Sequence, residues 1–175
     1  LVIPAKDEQD NIAALLTETF TVMRDYPGFE VVLVDDGSSD RTLDTARRTA
    51  TALGGNLTTI RHDQSIGQSG ALATGIRQAR GQLIATMDGD GQNDPADIPA
   101  LLQKASTLNQ QDFCIAGYRC NRKDTSWKRF QSRLANRVRN AFLHDGVPDT
   151  GCGLKLIPRA TFLKLPWFDH AHRFI

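Results

Sequence analysis

The chain has 175 residues, 40% of them hydrophobic, with 21 basic and 20 acidic side chains and a formal charge of +1. That length suits one α/β domain with a substantial core, and so balanced a charge names no class of partner in bulk. No apolar run approaches the roughly 20 residues that span a bilayer, no basic-then-apolar leader opens the chain, and Cys114, Cys120 and Cys152 lack paired zinc spacing.

The odd, unpaired cysteines read most simply as thiols in a reduced, cytosolic setting. The opening Leu1-Val2-Ile3-Pro4 looks like a strand already under way, and the close at Arg173-Phe174-Ile175 has no polar tail. Residues 1–175 are therefore expected to be a single domain cut at both ends from a longer protein, with a membrane region beyond residue 175.

Short apolar runs alternate with helical patterns along the chain. Residues 1–3 open as a strand. Ile12, Leu15, Leu16 and Phe20 recur at helical spacing within 11–24. The adjacent apolar residues of 30–34 suit a strand buried on both faces. A helix over 41–53 starts from Ser39-Asp40 as its cap, followed by a strand at 57–60, a helix at 69–79 and a strand at 83–87. Asp94-Pro95-Ala96-Asp97 opens another helix, with Asp at the cap and Pro in the first turn. A fifth strand over 112–116, a long basic helix over 126–142 and a last strand over 153–157 complete the series. Such alternation predicts an α/β fold with a mostly parallel, doubly wound sheet flanked by helices.

Ligands of such sheets bind beyond the carboxyl ends of the strands, and the unusual residues fall there. Pro4-Ala5-Lys6-Asp7-Glu8 follows the first strand, Asp35-Asp36-Gly37-Ser38-Ser39-Asp40 the second, Asp88-Gly89-Asp90-Gly91-Gln92 the fourth and Gly117-Tyr118-Arg119 the fifth. Asp88 and Asp90 offer hard oxygens suited to Mg²⁺ or Mn²⁺ beside substrate phosphates. Their glycines let the backbone come close to a ligand, and Gln92 adds a neutral oxygen. A turn-rich loop without function has the same composition. Asp35 and Asp36 read either as turn and cap residues or as acceptors for a nucleotide's base or ribose. The glycines of 67–75 form neither GxGxxG after a first strand nor a P-loop, so Gly67-Gln68-Ser69 reads as a helix entry beside a donor.

Taken in order, "VIPAKDEQDNI", "VVLVDDGSSDRT", "GQSGALATGIRQARG" and "IATMDGDGQNDP" resemble the family 2 glycosyltransferases of the GT-A fold. The resemblance covers about half the chain and implies a nucleotide-diphosphate sugar donor, with UDP and GDP both open. It implies that Pro4, Ala5, Lys6 and Glu8 line the nucleoside pocket, and that Asp36 with Asp35 contacts the base. Gly67, Gln68, Asp88, Gly89 and Asp90 then face the rest of the donor. Asp88 and Asp90 carry the DxD motif, with Gln92 as a further metal or phosphate contact. Lys6-Asp7 departs from the Tyr-Asn common at that place.

Arg129, Arg133 and Arg137 recur every fourth residue and form one stripe of a helix. A solvated basic face, a nucleic-acid site and a helix beside an anionic membrane or lipid phosphate all have this pattern. Nothing aromatic interleaves the charges, so nucleic acid is not expected. "GYRCNRKDTSWKRFQSRLANRVRN" resembles the segment of polyprenyl-phosphate glycosyltransferases, the dolichol-phosphate mannose synthase group among them. The resemblance implies that Arg119, Arg129, Ser132 and Arg133 bind the acceptor phosphate, joined by His172 of a matching "HRF". Guanidinium forks suit phosphate oxygens. His170 and His172 could also pair on zinc, but no third ligand is evident.

The expected reaction is an inverting transfer from the nucleotide sugar to a polyprenyl phosphate, at the cytosolic face of a membrane. Asp90 serves through the metal, and Asp149, in Asp149-Thr150-Gly151-Cys152-Gly153, is the candidate base. A phosphate acceptor, with its second pKa near ~6, already carries an anionic oxygen and would need Asp149 only for positioning. The rival readings are a soluble transferase acting on a saccharide hydroxyl and a non-catalytic sugar-nucleotide or nucleic-acid binding module.

Overall fold

The computed structural model describes residues 1–117 and 152–165. The expected helix over 126–142, together with Arg119, Arg129, Ser132, Arg133, Asp149, His170 and His172, lies outside the described residues.

Six strands form one sheet: β1 (Val2–Ala5), β2 (Val31–Asp35), β3 (Leu57–Arg61), β4 (Leu83–Thr86), β5 (Ile115–Ala116) and β6 (Lys155–Pro158). The described helices are α1 (Ile12–Val22), α2 (Thr42–Leu53), α3 (Gln68–Gln78), α4 (Ile98–Ser106) and α5 (Arg159–Lys164). A 3₁₀ turn, Pro95–Asp97, leads into α4, and Asp94 accepts the Ala96 N–H as its cap.

The strand order is β3-β2-β1-β4-β6-β5. β1 through β4 are parallel, whereas β6 runs antiparallel to both β4 and β5. The sheet is thus mostly parallel, as expected, but its last strand reverses direction. β5 is also shorter than the expected run over 112–116, and Asp112 instead accepts hydrogen bonds from Thr161 and Lys164.

Every residue of β1 and β2 is buried, because helices cover both faces. Alternation sorts their side chains. Ile3, Val31 and Leu33 join Ile12, Leu16, Leu43 and Ile98 on one side. Val2, Val32 and Val34 join Ala71, Ile76, Ile84, Ile157 and Phe162 on the other. α3 comes unusually close to the sheet because it presents small residues. A Cβ on Gly75 would stand 2.5 Å from Val2 Cγ1 and 3.0 Å from Val34 Cγ2.

The far end of α3 is tied to the entrance of β2. The Glu30 carboxylate accepts the Arg80 N–H at 2.6 Å, the Gly81 N–H at 3.0 Å and Arg80 Nε–H at 3.2 Å. Burial pushes the Glu30 carboxyl up, but these donors outweigh it and hold it below the usual carboxylate range. Arg159 covers the last carbonyls of the same helix, bonding Ile76 O and Arg77 O.

Candidate active site

The exits of β1 and β2 are joined to each other before they reach any ligand. Asp7 N–H donates to Ser38 Oγ, Glu8 N–H to Thr42 Oγ1 and Gln9 N–H to Asp40 Oδ2. In return Asp7 Oδ1 accepts from Ser39 N–H and Oγ–H. Asp7 adopts a left-handed φ of 55°, which an Asp tolerates better than most residues. The Ser39 backbone and hydroxyl hold its carboxyl below the usual range. The cap expected at Ser39-Asp40 falls instead on Arg41, which makes no side-chain cap bond, while Asp40 Oδ1 just before it takes the Thr42 N–H and hydroxyl. Of the residues assigned to the nucleoside pocket, Pro4 and Ala5 are buried, Lys6 is exposed, and Glu8 is half-buried with its carboxylate on Asn11 Nδ2.

The adjacent carboxylates after β2 have different surroundings. Asp35 is 0% exposed. Its Oδ1 accepts the Ser38 N–H, while Oδ2 has no hydrogen-bond partner among the described residues and faces the Arg61 guanidinium at 3.6 Å. Asp36 is saturated. Oδ1 accepts the Ile66 N–H at 2.9 Å and stands 2.8 Å from His62 Nδ1; Oδ2 accepts Ser65 Oγ–H at 2.7 Å and the Gly67 N–H at 2.8 Å. Burial pushes the Asp36 carboxyl up, yet the His62, Ile66, Ser65 and Gly67 donors prevail and bring its pKa to about 2. The base contact expected of Asp36 therefore finds every carboxylate lone pair already taken by the turn between β3 and α3.

The exit of β4 is built differently. Gly89 lies against the end of β1: a Cβ there would meet Pro4 O at 3.1 Å and the Ala5 Cβ at 3.2 Å. This close approach places Asp88 and Asp90 beside the β1 exit. Asp88 Oδ1 accepts from the Gln68 side-chain amide at the start of α3. Its other oxygen lies over Gly153, where an added Cβ would be 2.2 Å away. Asp90 receives one hydrogen bond among the described residues, from Gln92 N–H to Oδ1 at 3.0 Å, and stays partly exposed, with Gln92 exposed. Behind the loop, Thr86 Oγ–H bonds Gly153 O and Cys152 Sγ–H reaches Asn93 Oδ1, tying β4 and its exit loop to the residues that lead into β6.

The structure thus gathers Asp88, Gly89, Asp90, Gln68 and Gly67 at one sheet edge, with Pro4 and Ala5 beneath. Sequence reasoning missed Gly153 and His62. The sequence marks Gly153 as the end of the Asp149 loop and the start of a strand, whereas its role lies in what it leaves room for. His62 bridges Asp36 and Thr74, a contact between distant segments with no local signature.

No group of three or more His, Cys, Asp or Glu among the described residues could enclose a metal. That donor set nonetheless fits Mg²⁺ or Mn²⁺, which bind through one or two carboxylates plus waters and substrate phosphates. Asp88 is aimed by its neighbours, and the space over Gly153 would be filled by any Cβ.

The family described as Glycosyl transferase family 2 matches residues 1–165. The chain belongs to that family. It is 37% identical over 178 aligned positions to a dodecaprenyl-phosphate galacturonate synthase of Rhizobium johnstonii, covering 100% of this chain and 52% of the relative. It is 35% identical over 162 to an undecaprenyl-phosphate 4-deoxy-4-formamido-L-arabinose transferase of Pseudomonas paraeruginosa, covering 91% and 47%. The chain spans about half the length of these curated relatives. The fold is similar to glucosyl-3-phosphoglycerate synthase of Mycobacterium tuberculosis, solved with Mn²⁺, uridine diphosphate and phosphoglyceric acid. The TM-score is 0.72 at 20% identity, over 96% of this chain and 58% of the other. The expected GT-A type of fold agrees with this likeness. Among the described residues no helix is long and apolar enough to cross a membrane.

Proposed function

We propose that this domain moves a sugar from a nucleoside-diphosphate sugar to a polyprenyl phosphate, using Mg²⁺ or Mn²⁺ held by Asp88 and Asp90. The observation that carries the proposal is the β4 exit. Asp88 is fixed from two sides while Asp90 is left open, in a chain whose relatives at 35–37% identity are named for transfer to polyprenyl phosphates.

In the transfer, the bond from the anomeric carbon to the diphosphate oxygen breaks, and a bond to an acceptor phosphate oxygen forms on the opposite face. A divalent ion supplies Lewis-acid neutralisation of charge developing on the diphosphate. Asp88 and Asp90 hold that ion's side of the site, and Gln92 stands within the same loop. Pro4, Ala5, Lys6 and Glu8 border the nucleoside, and Asp35, buried at the end of β2 with Oδ2 facing Arg61, supports that edge. Asp36 serves through the turn it anchors rather than as a base contact.

A phosphate monoester is already largely anionic above its second pKa of ~6, so its oxygen attacks without a strong base. Arg119, Arg129, Ser132, Arg133 and His172 are assigned to that phosphate, and Asp149 to positioning it. An acceptor of this kind places the whole protein at a membrane surface, on the side where nucleotide sugars are made.

The test uses the full-length protein, undecaprenyl phosphate and a set of labelled UDP- and GDP-sugars with Mn²⁺ or Mg²⁺. Label passing into the organic phase, and its loss with chelator, is the expected result. Label that reaches only water-soluble saccharides would replace the lipid acceptor with a sugar hydroxyl. Metal-dependent nucleotide-sugar binding without turnover would reduce the domain to a binding module.

A further inference from the structure

We infer that His62 is a positioning residue for Asp88, acting through Asp36, the turn 62–67 and Gln68. This rests on the reading of Asp88 as a metal-binding carboxylate.

Hydrogen bonds and backbone connect α3 to the Asp88 carboxylate without a break. Thr74 Oγ1, on α3, lies 3.1 Å from His62 Nε2, and His62 Nδ1 lies 2.8 Å from Asp36 Oδ1. With Asp36 ionised, Nδ1–H donates to its carboxylate, and Nε2 pairs with the Thr74 hydroxyl. Both ring nitrogens are then occupied, and His62 has none to offer a ligand. Asp36 in turn gathers Ser65, Ile66 and Gly67. Gly37 lets this turn approach, since a Cβ there would meet the Ser65 nitrogen at 3.0 Å.

The turn ends at Gly67, with φ 88° and ψ 164°, a region essentially closed to residues with a side chain. The next residue is Gln68, the first of α3, and its amide donates to Asp88 Oδ1. The direction of the Gln68 side chain is therefore set by the backbone that Asp36 holds, and His62 and Thr74 fix Asp36 against α3 itself. Groups one hydrogen bond removed from a metal ligand typically change metal affinity by about 10–100-fold when lost. His62 is further removed, so its effect is smaller and passes through Gln68.

The experiment is a double-mutant cycle in the full-length protein, with His62→Ala, Gln68→Ala and both together. Mn²⁺ is titrated calorimetrically in the presence of UDP and, separately, GDP, and turnover is measured against Mn²⁺. Each single variant is expected to raise the Mn²⁺ concentration for half-saturation, Gln68→Ala by about 10-fold and His62→Ala by about 3-fold, and for His62→Ala turnover at saturating Mn²⁺ should be little changed. The double variant is expected to be no worse than Gln68→Ala, because both cut one path. Thr74→Val, which keeps shape and fold, should reproduce part of the His62 effect, and Thr74→Ser should restore it. Additive losses overturn the inference, and so does a His62→Ala or Thr74→Val protein that melts earlier but keeps its Mn²⁺ dependence. Asp88→Ala is measured alongside. If it abolishes Mn²⁺ dependence while His62→Ala and Thr74→Val leave it unaltered, the relay alone falls. If Asp88→Ala leaves Mn²⁺ binding intact, the metal reading falls and takes the relay with it.

Discussion

Buried carboxylates stand at the two ends of β2, and each clamps one end of α3. Glu30, at the strand's entrance, accepts the Arg80 and Gly81 N–H groups just after the helix. Asp36, past the strand's exit, accepts the Ile66 and Gly67 N–H groups just before it. The chemistry of the two clamps is similar: a carboxylate satisfied by backbone donors and one basic side chain, and held below its ordinary pKa by them. Their consequences differ because of what lies one residue further on. Beyond the Glu30 clamp the chain turns into β4. Beyond the Asp36 clamp stands Gln68, which touches Asp88. One architectural device thus holds a helix end at each edge of the sheet, and at the exit edge it also sets the residue that bonds Asp88, the proposed metal-binding carboxylate.

If the exit edge carries the chemistry, its open carboxylate should be the most sensitive point. Asp90→Ala is expected to lower metal-dependent donor turnover by about 10³-fold, roughly 4 kcal/mol of lost stabilisation of developing charge. The fold should persist, because among the described residues Asp90 gives up only the bond from Gln92 N–H. Thermal melting and turnover measured on one preparation check both halves. A fully active variant would remove the metal from the reading.

Gly153→Ala is the next largest. Its new methyl would overlap the Asp88 carboxylate and force it aside. A displacement of order 1 Å at a positioned group can cost up to about 10²-fold, so Mn²⁺ affinity in the presence of UDP or GDP should fall by about 10- to 100-fold. Unchanged affinity would show that Asp88 does not depend on its seat over Gly153.

The contrast between these residues also marks what could be read from the chain alone. Strands and helices were legible because β1 and β2 are short, continuous apolar runs and α1 and α2 keep helical spacing. The motif Asp88-Gly89-Asp90 was legible because acidic residues and glycines at a strand exit leave a local signature. The reversed direction of β6 was not, since a strand's pattern of burial says nothing of which way it runs. Nor could spacing separate Asp35 from Asp36. Adjacent residues of one type look alike until distant partners are known, and the partners of Asp36 lie 26–31 positions away. Gly153 matters through an absent side chain and His62 through contacts on both sides, features fixed only by the packed fold.

The Asp36 clamp should register on stability before activity. Asp36→Asn replaces an oxygen that accepts two hydrogen bonds with an amide donor, leaving buried donors facing one another. About 2–3 kcal/mol is expected, or a melting point lower by roughly 5–10 °C. Acid dependence gives a second reading. With a folded pKa of about 2 against an unfolded value near ~3.9, the native state binds fewer protons, so stability rises with pH across this interval. The contribution, about 2 kcal/mol, is complete above pH ~4 and is lost as pH falls toward ~2. Denaturant titrations between these limits should give a shallower slope for Asp36→Asn than for the parent. Equal slopes would mean that the four donors do not favour the ionised carboxylate.

Glu30→Gln makes the smallest change and the sharpest control. The glutamine carbonyl can still accept the Arg80 and Gly81 N–H groups, while its amide faces Arg80 Nε as a second donor. The loss is one charge-assisted contact to a guanidinium that is 75% exposed, so solvent screening limits the cost to about 1 kcal/mol, or 2–4 °C in melting temperature. Mn²⁺ dependence should not move, because the Glu30 contacts hold the end of α3 opposite to Gln68. The variant therefore separates loosening of α3 from misdirection of Gln68. If Glu30→Gln raises the Mn²⁺ requirement as His62→Ala is expected to, then α3 transmits any loosening along its whole length, and the Asp36 clamp has no special standing. A Glu30→Gln protein that melts slightly earlier yet keeps its parent's Mn²⁺ curve assigns the direction of Gln68 to the turn 62–67 rather than to α3 as a whole.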